Sequence, residues 1–376
     1  MARLLFSLLS LVLVVALGTY ALWTQDRPAG HYLSDLRIQV ALDDGVRADR
    51  GNLLGIQPEL FATDYQSLPR LHRKLAAYLS QARNLGMLSA KTVVVLPEHI
   101  GTLLWALGEK DELYQAPHLA EANQWLGYSN PLLFARAWLQ AQGDDRTQDT
   151  RLRMKASSMA RDYQQVFGGL AKEFGITLVA GSIILPDPQL RDGTLVTGNG
   201  GLYNISVVFG ADGKPMGQPQ RQLYPDFVQR RYVQASPDPQ LQVLDTPAGR
   251  LGVLIGSDSW YPANYAQLDA KGCELIAVPA ALNGKDVWRE PWRGNPDRAD
   301  AAQLGIQPGE VSEGEAWQRL AHASRAPVSK ARASVSVFLR GQFWDQFSDG
   351  QSFANHDGQT HPTDDGRGAR LINLWL

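Results

Sequence analysis

Cysteine is nearly absent: Cys273 stands alone in 376 residues, which excludes an internal disulfide and any cysteine-based zinc site. An excess of either charge is missing too. The net charge is -2, so no basic surface draws the chain onto nucleic acid. Repeats and low-complexity tracts are missing, and 44% hydrophobic against 20% charged residues excludes a disordered or fibrous chain. The seven histidines are scattered, with His356 and His361 in a turn-rich tail, so no metal site is expected. Gly198-Asn199-Gly200-Gly201 is followed by no helical pattern and reads as a turn rather than a phosphate loop. No cofactor is expected.

What is present begins at the amino terminus. After Arg3, the run Leu4 to Gln25 carries no charge, long enough at ~1.5 Å per residue to cross ~30 Å of hydrocarbon. Tyr20 and Trp23 near its far end suit a membrane interface. Residues 1–25 are therefore expected to be a single-pass anchor with the main domain extracytoplasmic. The competing reading is a signal segment cleaved near Thr19-Tyr20-Ala21, leaving a secreted protein. The lone thiol suits an oxidising compartment in either case.

Residues 26–50 read as a linker, with Arg27-Pro28-Ala29-Gly30, and a first strand; residues 51–376 read as one α/β domain. Leu53 to Gln57 and Thr92 to Leu96 are apolar strands. Leu71, Leu75 and Leu79 mark one face of a helix. Residues 99–150 hold aromatics without a period and read as an insertion covering the cleft mouth, with Trp105 or Tyr114 reaching the pocket. Tyr163, Val166, Phe167, Leu170 and Phe174 stripe a second helix ended by Gly175, and Ile176 to Leu185 follows as one strand. Later strands are expected at Asn204 to Phe209, Leu241 to Asp245, Leu251 to Ile255, Glu274 to Val278 and Ala333 to Leu339. Helices are expected near Ala263 and from Glu315 to Ser324. Trp288 and Trp292, in the polar loop 284–314, form either a recognition surface or ordinary packing.

Two features carry chemistry. Glu98 follows Pro97 at the carboxyl end of a strongly apolar strand, where ligands bind in α/β sheets. Leu251 to Pro262 runs from a buried strand into a small-residue turn, Gly256-Ser257-Asp258-Ser259, the geometry of a nucleophile elbow. Taken alone, each could be a solvated loop residue or a plain strand-to-helix turn.

Together, in this order, these segments resemble the carbon–nitrogen hydrolase (nitrilase) superfamily. Leu53 to Pro58, Val95-Leu96-Pro97-Glu98, Asp212-Gly213-Lys214, Leu223-Tyr224-Pro225, Val253 to Pro262 and Gly272 to Ala281 carry the likeness, with Arg325-Ala326, Asp349 to Ser352 and Asp357-Gly358 near the end. The resemblance implies a nitrilase-like α-β-β-α sandwich preceded here by one transmembrane helix, a homodimer, and a small amide or acyl ligand. It also implies a Glu base, a Cys nucleophile and a Lys holding the tetrahedral intermediate.

This chain keeps Glu98 but departs from that pattern twice. Gly256 occupies the cysteine's place, and Gln220 the lysine's, with Arg221 beside it. Cys273 lies too far along to substitute. A reworked site would use Glu98, Arg221 and Ser257, as an amide hydrolase or acyltransferase. Ser257 would then need a base, and His99 is expected to point away from Glu98. The reading favoured here is a membrane-anchored family member without the ordinary chemistry, keeping the cleft for binding or scaffolding.

Overall fold

The computed structural model describes residues 2–27, 34–294, 306–321 and 329–376. Parts of the expected linker, of the 284–314 loop, and the Arg325-Ala326 motif lie outside them.

Alternation along each strand creates the layers. In Asn52–Gln57 and Thr92–Val95, Leu53, Val93 and Val95 face one way while Leu54, Ile56 and Val94 face the other, and all are buried. Such strands need cover on both faces. One sheet runs in the order Ile38–Asp44, Ala369–Trp375, Asn52–Gln57, Thr92–Val95, Thr177–Val179, Leu202–Phe209, Pro215–Arg221, with Ile183–Pro186 also on Leu202–Phe209. The other runs Val243–Thr246, Gly249–Val253, Leu275–Ala280, Ala333–Phe338, Phe353–His356, Gln359–Pro362. Leu53, Val93 and Val95 meet Leu251, Val253, Val335 and Val337 between the sheets. Outside the first sheet pack helices Leu68–Asn84, Arg146–Tyr163 and Gly169–Phe174, and outside the second pack Pro262–Ala270 and Glu313–Leu320. The result is an α-β-β-α sandwich.

Local signals hold at the elements that matter. Ser67 caps the first core helix by accepting from Arg70 N, and Leu71, Leu75 and Leu79 are buried. Gly175 takes the left-handed conformation (φ 65°) at the end of the striped helix. The single strand expected over Ile176 to Leu185 is instead two, Thr177–Val179 and Ile183–Pro186. The cause is Gly181 (φ 64°), where a Cβ would lie 2.0 Å from the Pro97 carbonyl oxygen. The break seats the end of the Glu98 strand: Ser182 Oγ accepts the His99 N–H at 2.9 Å, and the Gly101 N–H reaches the Ser182 carbonyl.

The aperiodic stretch 99–150 folds as a short helical turn, Thr102–Ala106, and helices Asp111–Gln115, Leu119–Ser129 and Pro131–Gln140. Trp288 and Trp292 are buried with Trp260, Trp317 and Phe338, so they pack the loop and present no surface. The helix Ala2–Gln25 is exposed along its apolar length and long enough to span a bilayer, a property a signal sequence shares. Its end rests on the insertion: Lys110 Nζ lies 4.3 Å from the Trp23 ring centroid, and Arg27 pairs with Glu109 at 3.0 Å.

Candidate active site

Glu98 is buried where the strand Thr92–Val95 leaves the first sheet. Its Oε1 accepts from Asn204 Nδ2 at 2.8 Å and from Gln229 Nε2 at 3.3 Å. Burial, reinforced by the Asp226 carboxylate, pushes its pKa up to about 8, so at neutral pH it is mostly a carboxylic acid. Its other oxygen faces the elbow. Gly256 has φ 52°, and a Cβ there would stand 2.7 Å from Oε2 of Glu98. Glycine is thus doubly suited: it tolerates the left-handed backbone and leaves room for the carboxyl.

The elbow is a helical turn, Gly256–Trp260, leading to a helix that starts with Pro262 rather than with a side-chain cap on Asp258 or Ser259. Asp258 has a different task. Buried beneath the turn, it accepts the backbone N–H groups of Leu223 at 3.0 Å and Tyr224 at 2.8 Å. It thereby clamps the facing loop, and burial raises its pKa to about 7. Tyr224 and Tyr261 stack at 3.7 Å over the same junction. Clamping presents Gln222 to the cleft, where its Nε2 donates to the Ile255 carbonyl at 3.2 Å and its Oε1 accepts from Asn204 at 3.0 Å.

The structure brings together Glu98, Gly256 and Ser257 and keeps Arg221 and Gln220 away. All three line one cavity of about 260 Å³ together with Gln222, Asp226, Gln229 and Glu313. Arg221 turns to the far face of its strand, stacking 4.1 Å over Tyr203 and pairing with Asp187 at 3.3 Å. Gln220 spends its amide on the Arg221 carbonyl and the Gln242 N–H. The strand Pro215–Arg221 ends there, and Gln222, in the loop pinned by Asp258, is the residue that faces Glu98's cavity. Ser257 Oγ donates to the Tyr224 carbonyl. Among the described residues no base hydrogen-bonds it.

His99 departs from expectation as well. Its backbone is left-handed (φ 62°), which breaks the alternation and swings Nε2 to 3.6 Å from Glu98 Oε1 and 3.0 Å from Gln229 Nε2. Burial lowers its pKa to about 4, so it is neutral and no counter-ion to Glu98. It forms a wall of a neighbouring cavity, which Trp105 also lines; Tyr114 is buried behind it, donating to the Ala106 carbonyl. The insertion thus lies beside the Glu98 cavity, without Trp105 or Tyr114 lining it.

The main cavity's lining contains no Cys, Lys, Arg or His among the described residues. Three carboxyl groups face it instead, Glu98, Asp226 and Glu313, and burial raises the pKa of each, Glu313 to about 7. Glu98 and Glu313 can thus donate hydrogen bonds alongside the amides, and among the described residues the lining pairs no nucleophile with a base.

The carbon–nitrogen hydrolase family model matches residues 67–306, more than half of the chain. The chain belongs to the carbon–nitrogen hydrolase family. A deaminated glutathione amidase of Yersinia enterocolitica is 30% identical to this family member over 42% of the present chain and 52% of its own. An omega-amidase of Xenopus laevis is 32% identical over 34% of the present chain and 45% of its own. The chain spans about half the length of the curated relatives it matches. Among solved structures, a carbon–nitrogen hydrolase of Helicobacter pylori G27 aligns with TM-score 0.52 at 16% identity, over 86% of this family member and 88% of that chain. A mutant of the Nesterenkonia AN1 amidase aligns at 0.51 with 13% identity, over 88% and 94%. At these identities the likeness is one of fold.

Sequence reasoning passed over Asn204, Gln222, Gln229, Asp226 and Glu313. Asn204 alone left a legible trace, as an amide inside the apolar run Leu202–Phe209, where a buried polar group needs a partner. The others reach the cleft from loops or a later helix, which no periodicity reveals.

Proposed function

We propose that this is a membrane-anchored, extracytoplasmic member of the carbon–nitrogen hydrolase family that binds a small amide- or acyl-bearing ligand without cleaving its C–N bond. The observation that carries this reading is the elbow: Gly256 stands against the Glu98 carboxyl, and among the described residues the surrounding cavity has neither thiol nor lysine. A protonated Glu98 donates to a ligand carbonyl, and the amides of Gln222 and Gln229 supply further polar contacts. The relatives' names, a deaminated glutathione amidase and omega-amidases, favour an amide ligand. The anchor assignment rests on the charge-free run Leu4 to Gln25 within the helix Ala2–Gln25.

The second reading, hydrolysis or acyl transfer through Ser257, draws support from Ser257 lining the same cavity. Against it stands a hydroxyl proton held by a carbonyl, with no base to take it. The experiment is calorimetric titration of the purified chain with phenylacetamide and propionamide, with ammonia measured in the same samples. Saturable binding without ammonia, weakened by Gln222→Ala, supports the reading. Ammonia release, or no binding by any small amide, defeats it.

A further inference from the structure

We infer that the cavity on the other side of His99 is a carboxylate-binding site, with Arg151 as the residue that takes the anion. This goes beyond the Glu98 reading and stands on separate residues. Arg151 lies on the helix Arg146–Tyr163 and is 8% exposed. It lines a cavity of about 180 Å³ that shares Val228 and Asn283 with the Glu98 cavity.

The guanidinium is built in and makes no salt bridge among the described residues, the Asp145 carboxylate acting on it only from beyond salt-bridge distance. It stacks 4.5 Å from the Trp105 ring centroid. One terminal nitrogen donates to Asn123 Oδ1 at 3.2 Å and the other to Gln148 Oε1, while Nε has no hydrogen-bond partner. Among the described residues Arg151 forms no ion pair. The other charged residue lining this cavity, Asp145, caps its own helix by accepting the Gln148 N–H at 3.2 Å. A buried cation held by neutral amides and a ring is costly to retain unless an anion completes it.

The walls define the ligand further. Trp105, Phe343, Trp344 and Phe347 line the same cavity. A fork of N–H donors above aromatic walls matches a carboxylate on a flat apolar body. A phosphate ester, with its extra charge, would leave that charge facing no second cation here; among the described residues lining this cavity, Arg151 is the only Lys or Arg.

The test is fluorescence and calorimetric titration of the full chain, in detergent, with phenylacetate, its neutral analogue phenylacetamide, and inorganic phosphate. Wild-type protein should bind phenylacetate saturably, with quenching of tryptophan fluorescence from the Trp105 stack. Arg151→Gln should weaken phenylacetate by at least about tenfold and leave phenylacetamide unchanged. Should that variant misfold by circular dichroism, Arg151→Lys, which keeps the charge but loses the fork, should still weaken phenylacetate. Phosphate outcompeting phenylacetate, or phenylacetate affinity unchanged by Arg151 substitution, overturns the inference. Ammonia release from phenylacetamide would instead defeat the Glu98 reading and leave the Arg151 result standing.

Discussion

A Cβ placed on Gly256 would sit 2.7 Å from Oε2 of Glu98, closer than a Cβ approaches another heavy atom. The Glu98 carboxyl thus fills the space in which an elbow side chain would start. Gly256→Ala should therefore cost about 1–2 kcal/mol from the left-handed backbone alone, with further loss from crowding Glu98. Urea denaturation of the domain checks this, and an unchanged midpoint would mean that the elbow relaxes freely.

Labelling offers a companion test. Cys273 is buried and its thiol pushed up to about 12, so the wild-type chain should react slowly with iodoacetamide. Gly256→Cys combined with Gln222→Lys should add a fast-reacting thiol at the cleft. Labelling no faster than that of Cys273 would show that the elbow side chain is shut off from solvent.

Glu98 sets a pH dependence of stability. Its folded pKa, about 8, lies above the ordinary 4.5, so the folded state holds the proton more tightly than the unfolded chain. Stability then falls as pH rises from about 4.5 through 8. Asp258 and Glu313, each raised to about 7, add losses of the same sign at lower pH. Glu98→Gln removes one contribution, so its stability relative to wild type should rise between pH 6 and pH 9, by at least about 1 kcal/mol. Parallel pH profiles for the two proteins would mean that Glu98 ionises normally.

The residues themselves made an α/β domain legible, its continuous apolar strands marking cover on both faces, while the sandwich came from the family resemblance. In the structure Leu53 and Leu54, Val93 and Val94 each belong to opposite layers. Glu98 and the elbow were legible only together and in order, since each alone could be a solvated loop residue or a plain strand-to-helix turn. Arg221 misled, since its charge suggested a substitute cation while the strand's alternation turns it onto Tyr203. His99 misled for the opposite reason. Strand alternation stops at a left-handed residue, and nothing in a single sequence marks a histidine with φ 62°. Gln222 depends on the clamp from Asp258, a contact across 35 residues that no local pattern encodes.

The proposed anchor gives its own outcome. The full chain should sediment with membranes and resist extraction by high salt, whereas a chain beginning at Asp26 should stay soluble. Recovery of the native protein in the soluble fraction, with a new amino terminus near Leu22, would identify the apolar helix as a cleaved signal.

Turnover decides the central claim. Purified protein, incubated with a panel of small aliphatic and aromatic amides and nitriles, should release no ammonia above buffer, and Ser257→Ala should behave identically. Loss of a nucleophile and its cation costs orders of magnitude, and the two losses do not simply add because the groups act as a unit. Robust wild-type turnover that disappears in Ser257→Ala or Glu98→Gln would contradict the account and make Ser257 the nucleophile of a reworked hydrolase.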